Sequence, residues 1–117
     1  MHFATGYFNP VRAYLDLILS SKSSTDVLMA HPEANGFFRA KGVAGGIPPA
    51  YTLIAKQFFD LVARGGRSDG VRMFEYIRKG WTFHAKGLWF TPEGESEPSV
   101  TMIGEQILLL CFGRETP

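Results

Sequence analysis

The sequence predicts an α/β domain, a mixed β-sheet flanked by helices, and two patterns carry that prediction. Residues 3–30 run from strand-like to helical to strand-like apolar spacing, and a second helical stripe over residues 48–63 is followed by three further strand-like runs. Strands alternating with helices in this way favour a layered architecture whose crossovers pack back on one sheet.

Residues 3–8 read as the first strand. Asn9-Pro10 is a strong helix start, with Asn as N-cap and Pro at the first helical position, where its missing N–H costs nothing. The helix expected over residues 10–21 carries Val11, Tyr14 or Leu15, Ile18 and Leu19 on one stripe, with Arg12, Asp16 and Lys22 largely off it. A Ser-rich connection leads to Asp26-Val27-Leu28-Met29-Ala30, a buried strand. Residues 31–48 read as a long irregular loop, pinned by Phe37-Phe38 and carrying Arg39 and Lys41, which read first as solvated loop charges and second as cations able to reach a phosphate. Its glycines at 42, 45 and 46 lack the Gly-Lys-Ser/Thr ending of a phosphate-cradling P-loop. Pro48-Pro49 opens a second helix to about residue 63, with Tyr51, Ile54, Phe58, Leu61 and Val62 on one face and Gly65-Gly66 as its stop. Residues 71–77 then alternate and are expected to pair with residues 81–90 as an antiparallel hairpin turned at Arg78-Lys79-Gly80, with residues 100–103 returning beside the second strand.

Composition narrows the function. The 117 residues suit one domain, and 45% hydrophobic with 14% aromatic residues suffice for a core. Twelve basic against eleven acidic side chains leave a net charge of +1, so no nucleic-acid partner is expected. One cysteine, Cys111, allows no internal disulfide, and no His/Cys cluster has zinc-ligand spacing, so neither a metal nor a cofactor is expected. No apolar run reaches the length of a bilayer span, and no signal-peptide layout precedes the first strand. A start so abrupt is expected of a chain whose upstream sequence belongs to the same fold.

The candidate chemistry lies in Gly80-Trp81-Thr82-Phe83-His84-Ala85-Lys86-Gly87-Leu88-Trp89-Phe90. Read as a strand, it places Thr82, His84, Lys86, Leu88 and Phe90 on one side. His84 and Lys86 then face one space, where an imidazole can act as nucleophile or proton carrier and an ammonium can neutralise phosphoryl charge. Spacing alone is a weak signal, since alternate basic residues more often mark a solvated strand face. Glu75, on the strand expected beside it, is a candidate orienting carboxylate if the hairpin register brings it to the face of His84.

Thr5-Gly6-Tyr7-Phe8-Asn9, Pro32-Glu33-Ala34-Asn35-Gly36-Phe37-Phe38, Ala40-Lys41-Gly42-Val43-Ala44-Gly45 and the His84 stretch together resemble a known family. They are similar to the C-terminal half of the mitochondrial-type phosphatidylglycerophosphate synthases, the CDP-diacylglycerol–glycerol-3-phosphate 3-phosphatidyltransferases of the phospholipase D superfamily. The likeness spans residues 4–104. It implies a partial phospholipase D-like domain, the second half, over residues 1–104, and a divergent apolar tail over residues 105–117. Enzymes of that superfamily carry two His-x-Lys motifs, one in each half of a pseudo-twofold fold. One histidine attacks phosphorus, and the other protonates the leaving group and activates the acceptor.

By this resemblance His84 and Lys86 are the second-half catalytic pair, with CDP-diacylglycerol and glycerol 3-phosphate as substrates, phosphatidylglycerophosphate for cardiolipin synthesis as product, and the mitochondrion as location. The missing N-terminal half is then the principal partner, and a membrane surface is a further candidate contact. The aspartate that the wider superfamily places five residues after the lysine is here Thr91, and after Gly104 the chain departs from the family with Glu105-Gln106 and an apolar run, Ile107 to Phe112. A lone half-site should be inactive by itself. Two other arrangements remain open: a homodimeric phosphodiesterase or nuclease in which each copy gives one His-x-Lys, and a non-catalytic module that docks through Ile107 to Phe112.

Overall fold

A computed structural model of the chain describes residues 1–104. In chain order it has β1 (His2–Thr5), α1 (Arg12–Ser20), β2 (Thr25–Ala30), two 3-10 turns (Pro32–Ala34 and Gly42–Gly46), α2 (Ile47–Arg64), β3 (Val71–Tyr76), β4 (Lys86–Phe90) and β5 (Val100–Ile103). The five strands form one mixed sheet in the order β3-β2-β1-β4-β5. β1, β2 and β3 run parallel, and β4 and β5 extend the sheet antiparallel on the other side of β1. The tail expected over residues 105–117 lies outside the described residues.

The period-2 pattern of β2 explains which face is core. Thr25, Val27 and Met29 are buried while the residues between them are half-buried, and Val27 stands beside Phe3 of β1 and Met73 of β3. Ile18 of α1 and Phe58 and Val62 of α2 join Phe3, Val27, Met29 and Val71 in one apolar cluster. Both helices therefore cover the same sheet face. Phe8, just beyond the end of β1, is drawn into that layer, its ring 5.5 Å from that of Phe58.

The opposite face carries an ion-pair network on adjacent strands. Arg72 donates two 2.8 Å hydrogen bonds to the Asp26 carboxylate, and the His2 imidazole lies 3.4 Å from it. The Arg72 hydrogen bond holds the Asp26 carboxyl below its ordinary value, against a smaller opposing effect of burial. A depressed carboxylate contributes stability above its unfolded pKa and loses it as pH falls through the folded value. The stability gap between wild type and Asp26→Asn should accordingly be open at pH 7 and close below about pH 4 in urea unfolding. A gap that is constant with pH would remove the ionic role.

Three sequence expectations are corrected. The hairpin of β3 with β4 does not form, because α2 is the crossover between β2 and β3 and lays β3 parallel to β2 at one edge. β4 inserts instead beside β1, where Leu88 faces Phe3. The strand expected over residues 81–90 begins only at Lys86, so His84 precedes it, outside the regular strand. Asn9 and Pro10 lie ahead of α1, which starts at Arg12 with Val11 as a cap that offers no side-chain bond. Anchoring Phe8 in the core uses the next residues to climb from the sheet to the helix layer. Elsewhere the mixed sheet and two helices are as expected, β5 does return beside β4, and the long loop contains two short 3-10 turns.

Candidate active site

The site is built where β1 ends and β4 begins. Thr5, buried at the last position of β1, accepts a 3.2 Å hydrogen bond from the Tyr7 N–H and donates one of 3.0 Å to the Tyr7 carbonyl, bending the chain out of the sheet. The Gly6 N–H donates to the Ala85 carbonyl at 2.8 Å, and the Phe83 N–H to the Ala34 carbonyl at 2.9 Å. The chain entering β4 is thus laced on one side to the end of β1 and on the other to the turn after β2. Gly6 is required by proximity: a Cβ there would lie 2.9 Å from the Phe83 carbonyl oxygen and 3.1 Å from His84 Cα. Gly6→Ala should cost about 1–3 kcal/mol in urea unfolding, because both contacts are backbone and cannot swing aside. An alanine tolerated without loss would mean that the approach is looser than this.

Within that frame Lys86 Nζ lies 2.8 Å from His84 Nε2. An ammonium has donors and no acceptor, so Nε2 accepts, and the neutral imidazole carries its proton on Nδ1. Among the described residues Lys86 makes no ion pair with a carboxylate. Among those residues nothing compensates its charge, and it is partly exposed, which suits an anion. The His84 ring meets the Tyr7 ring edge-on, with centroids 5.1 Å apart and planes at 74°. Tyr7 in turn stacks on Tyr51 of α2 at 5.6 Å and tilts against Phe37 at 5.6 Å.

The other sequence candidates are placed apart from this pair. Glu75 is exposed on β3, with β2 and β1 between it and β4, and the hairpin that would have set it beside His84 is absent. It does share a lateral row with Lys86 through Met29 and Thr5, but three strand spacings separate them by about 14 Å. Arg39 is exposed with its guanidinium 5.1 Å from the Phe38 ring centre, and Lys41 is exposed at the start of the second 3-10 turn. Among the described residues neither hydrogen-bonds to His84 or Lys86. The sequence reading did not single out Gly6, Tyr7, Gly36 and Tyr51 as site residues. The available signal was the glycine-aromatic juxtaposition in Gly6-Tyr7 and Gly36-Phe37, in blocks already noted for their resemblance.

Among the described residues His84 is exposed and Lys86 half-buried, so the pair forms an open wall. The space over the C-terminal ends of the parallel strands, lined by Gly6, Met29, Asn35, Tyr51 and Glu75, amounts to only ≈ 10 Å³. Larger cavities of ≈ 360 and ≈ 650 Å³ lie between α1 and β4 and on the opposite sheet face, and neither His84 nor Lys86 lines them.

No family model matches the chain. Over 104 residues, 89% of its length, it is 52% identical to the human protein named CDP-diacylglycerol–glycerol-3-phosphate 3-phosphatidyltransferase, mitochondrial, and it is 54% identical over 100 residues to the mouse protein of that name. The probable CDP-diacylglycerol–glycerol-3-phosphate 3-phosphatidyltransferase of Dictyostelium discoideum is 42% identical over 98 residues. This chain is a homologue of one segment of these phosphatidyltransferases. It spans 19% of the human protein and 18% of the mouse protein. In structure it resembles a phosphatidylserine synthase of Haemophilus influenzae, with a TM-score of 0.65 over 77% of this chain and 22% of that one, at 20% identity. That likeness shows the fold, a part of the phospholipase D-like α/β architecture.

Proposed function

We propose that this chain supplies one half of the phosphoryl-transfer centre of a mitochondrial phosphatidyltransferase, which moves a phosphatidyl group from CDP-diacylglycerol to glycerol 3-phosphate. The observation that carries the reading is the 2.8 Å contact of Lys86 Nζ with His84 Nε2 on an open wall free of carboxylate partners among the described residues. A phosphate oxygen reaching this wall takes over the ammonium hydrogen bond that Nε2 otherwise holds. Lys86 then neutralises phosphoryl charge, and the released Nε2 lone pair faces phosphorus.

If His84 is the nucleophile, its Nε2–P bond forms as the bond from phosphorus to the CMP oxygen breaks, and a proton must reach the departing CMP. In the second step the glycerol 3-phosphate hydroxyl gives up its proton, attacks phosphorus and releases the imidazole. The proton traffic needs a second general acid and base, which the described residues do not place opposite His84. The half-site and the short span of the chain against its relatives agree on this point. A polypeptide supplying the other wall, and a membrane presenting the lipid, are the partners that the reading requires.

The test is a transplant. Residues 1–104 replace the matching segment of the mouse relative, and CMP release from CDP-diacylglycerol is followed with and without glycerol 3-phosphate. The expected result is acceptor-dependent release by the transplant and none by the isolated 117-residue chain. A transplant that folds, binds CDP-diacylglycerol and releases no CMP would count against the reading, as would release by the isolated chain.

A further inference from the structure

We propose that Tyr7 is a positioning residue for the His84 imidazole, held by an aromatic clamp of Phe37 and Tyr51, with Gly36 leaving room for the Tyr7 hydroxyl and Gly6 for the backbone that carries His84; its importance for chemistry rests on the reading of His84 given above. Backbone hydrogen bonds at Phe83 and Ala85 hold the chain on either side of His84, but they leave its exposed imidazole free to turn about its side-chain torsions. The ring contact that restrains it comes from Tyr7, edge-on at 5.1 Å. Tyr7 is itself fixed three ways. Its backbone is bonded on both sides to the Thr5 hydroxyl, its ring stacks on Tyr51 at 27°, and Phe37 closes on it at 43°. Phe37 is anchored by its own N–H, which donates to the side-chain oxygen of buried Asn35 at 2.9 Å.

The two glycines show that this packing is specific. Neither has a positive φ, so what glycine provides at these positions is space rather than backbone freedom. A Cβ on Gly36 would lie 2.9 Å from the Tyr7 hydroxyl oxygen, and a Cβ on Gly6 would press on the backbone of Phe83 and His84. Gly36 thus fits the chain against the Tyr7 hydroxyl and Gly6 fits it against the His84 backbone, and between them the Tyr7 ring meets the imidazole. With that contact in place the imidazole is held so that Nε2 points to Lys86 and the proton stays on Nδ1. Without it, imidazole rotation breaks the Lys86 contact and returns the ring to the tautomer mixture of a solvated histidine.

His31 provides an internal reference, because its Nδ1 accepts from the Glu33 N–H and its neutral ring must carry the proton on Nε2. The experiment is long-range ¹H–¹⁵N NMR of the imidazoles in the ¹⁵N-labelled 117-residue chain above the histidine titration range, with the amide spectrum as a check of folding. Wild type should show His84 mainly as the Nδ1–H tautomer. Tyr7→Leu should lower the Nδ1–H to Nε2–H ratio of His84 by about threefold to tenfold, the range an aromatic contact supports, and leave His31 unchanged. Tyr7→Phe should keep the wild-type ratio. Gly36→Ala should lower it by pushing on the Tyr7 hydroxyl, and Tyr7→Phe combined with Gly36→Ala should restore it, since the clash is with that hydroxyl.

A folded Tyr7→Leu chain with an unchanged His84 ratio would overturn the proposal. If Tyr7→Leu does not fold, the Gly36→Ala pair decides: an effect without rescue, or no effect, overturns it. The ratio is independent of catalysis, so failure of the function reading is seen separately: His84→Ala would then leave CMP release by the transplant intact while Tyr7 still controlled the His84 tautomer.

Discussion

Alanine in place of His84 should lower CMP release by the transplanted enzyme at least about 10³-fold, with CDP-diacylglycerol binding little changed. The size follows from the proposed role of His84 as nucleophile and of Lys86 as its charge partner. A group that forms and breaks the bond to phosphorus cannot be replaced by solvent within the wall, and truncating one member of a catalytic unit removes nearly all that the unit does. Lys86→Ala should cost about 10²–10³-fold, because it removes one preorganised charge from the transition state and leaves the nucleophile in place. Lys86→Arg should recover only part of this, since a planar guanidinium cannot reproduce the point contact on Nε2. Parallel measurement of kcat and KM separates the roles, as a residue that merely binds the diphosphate raises KM and spares kcat. If His84→Ala keeps activity within tenfold of the parent, the wall is a binding surface and the nucleophile lies elsewhere.

The sequence carried the local elements well where pattern is set by burial. Val27 and Met29 alternate because one face of β2 lies in the core, and Phe58 and Val62 recur at helical spacing because α2 lies on the sheet, so both elements are legible. Strand neighbours were not. Residues 71–76 and 86–90 alternate whichever partner they take, and the choice between a hairpin and insertion beside β1 depends on burying Leu88 against Phe3, a contact 85 residues apart in the chain. The same limit applied to the site. The His-x-Lys spacing made the pair visible, and the structure brings the two side chains together even though His84 lies outside the strand. Glu75 was considered only because of a hairpin that does not form. Tyr7 could not be found from spacing, since its contact with His84 joins the first strand's end to the fourth strand's start and reveals itself only through the closeness of Gly6 to Phe83.

The largest stability effect should come from Phe58, and it bears on the site as well as the core. Its side chain is 1% exposed and packs on Phe8, which is 2% exposed. Phe58→Ala should destabilise by about 3–5 kcal/mol, combining lost transfer energy with a cavity that the sheet, held by its hydrogen-bonded register, can collapse only in part. The neighbouring Phe59, 59% exposed on the outer side of the same helix, should change stability by no more than about 0.5 kcal/mol on truncation to alanine. Urea unfolding of the two variants side by side isolates burial from helix propensity, because both carry the same substitution one position apart. Phe8 follows Tyr7 directly, so loss of its Phe58 support should also loosen the clamp and lower the His84 tautomer ratio while the chain remains folded. Equal losses for Phe58→Ala and Phe59→Ala would show that the helix presents a different face to the sheet, and that the site rests on other support than this pair of rings.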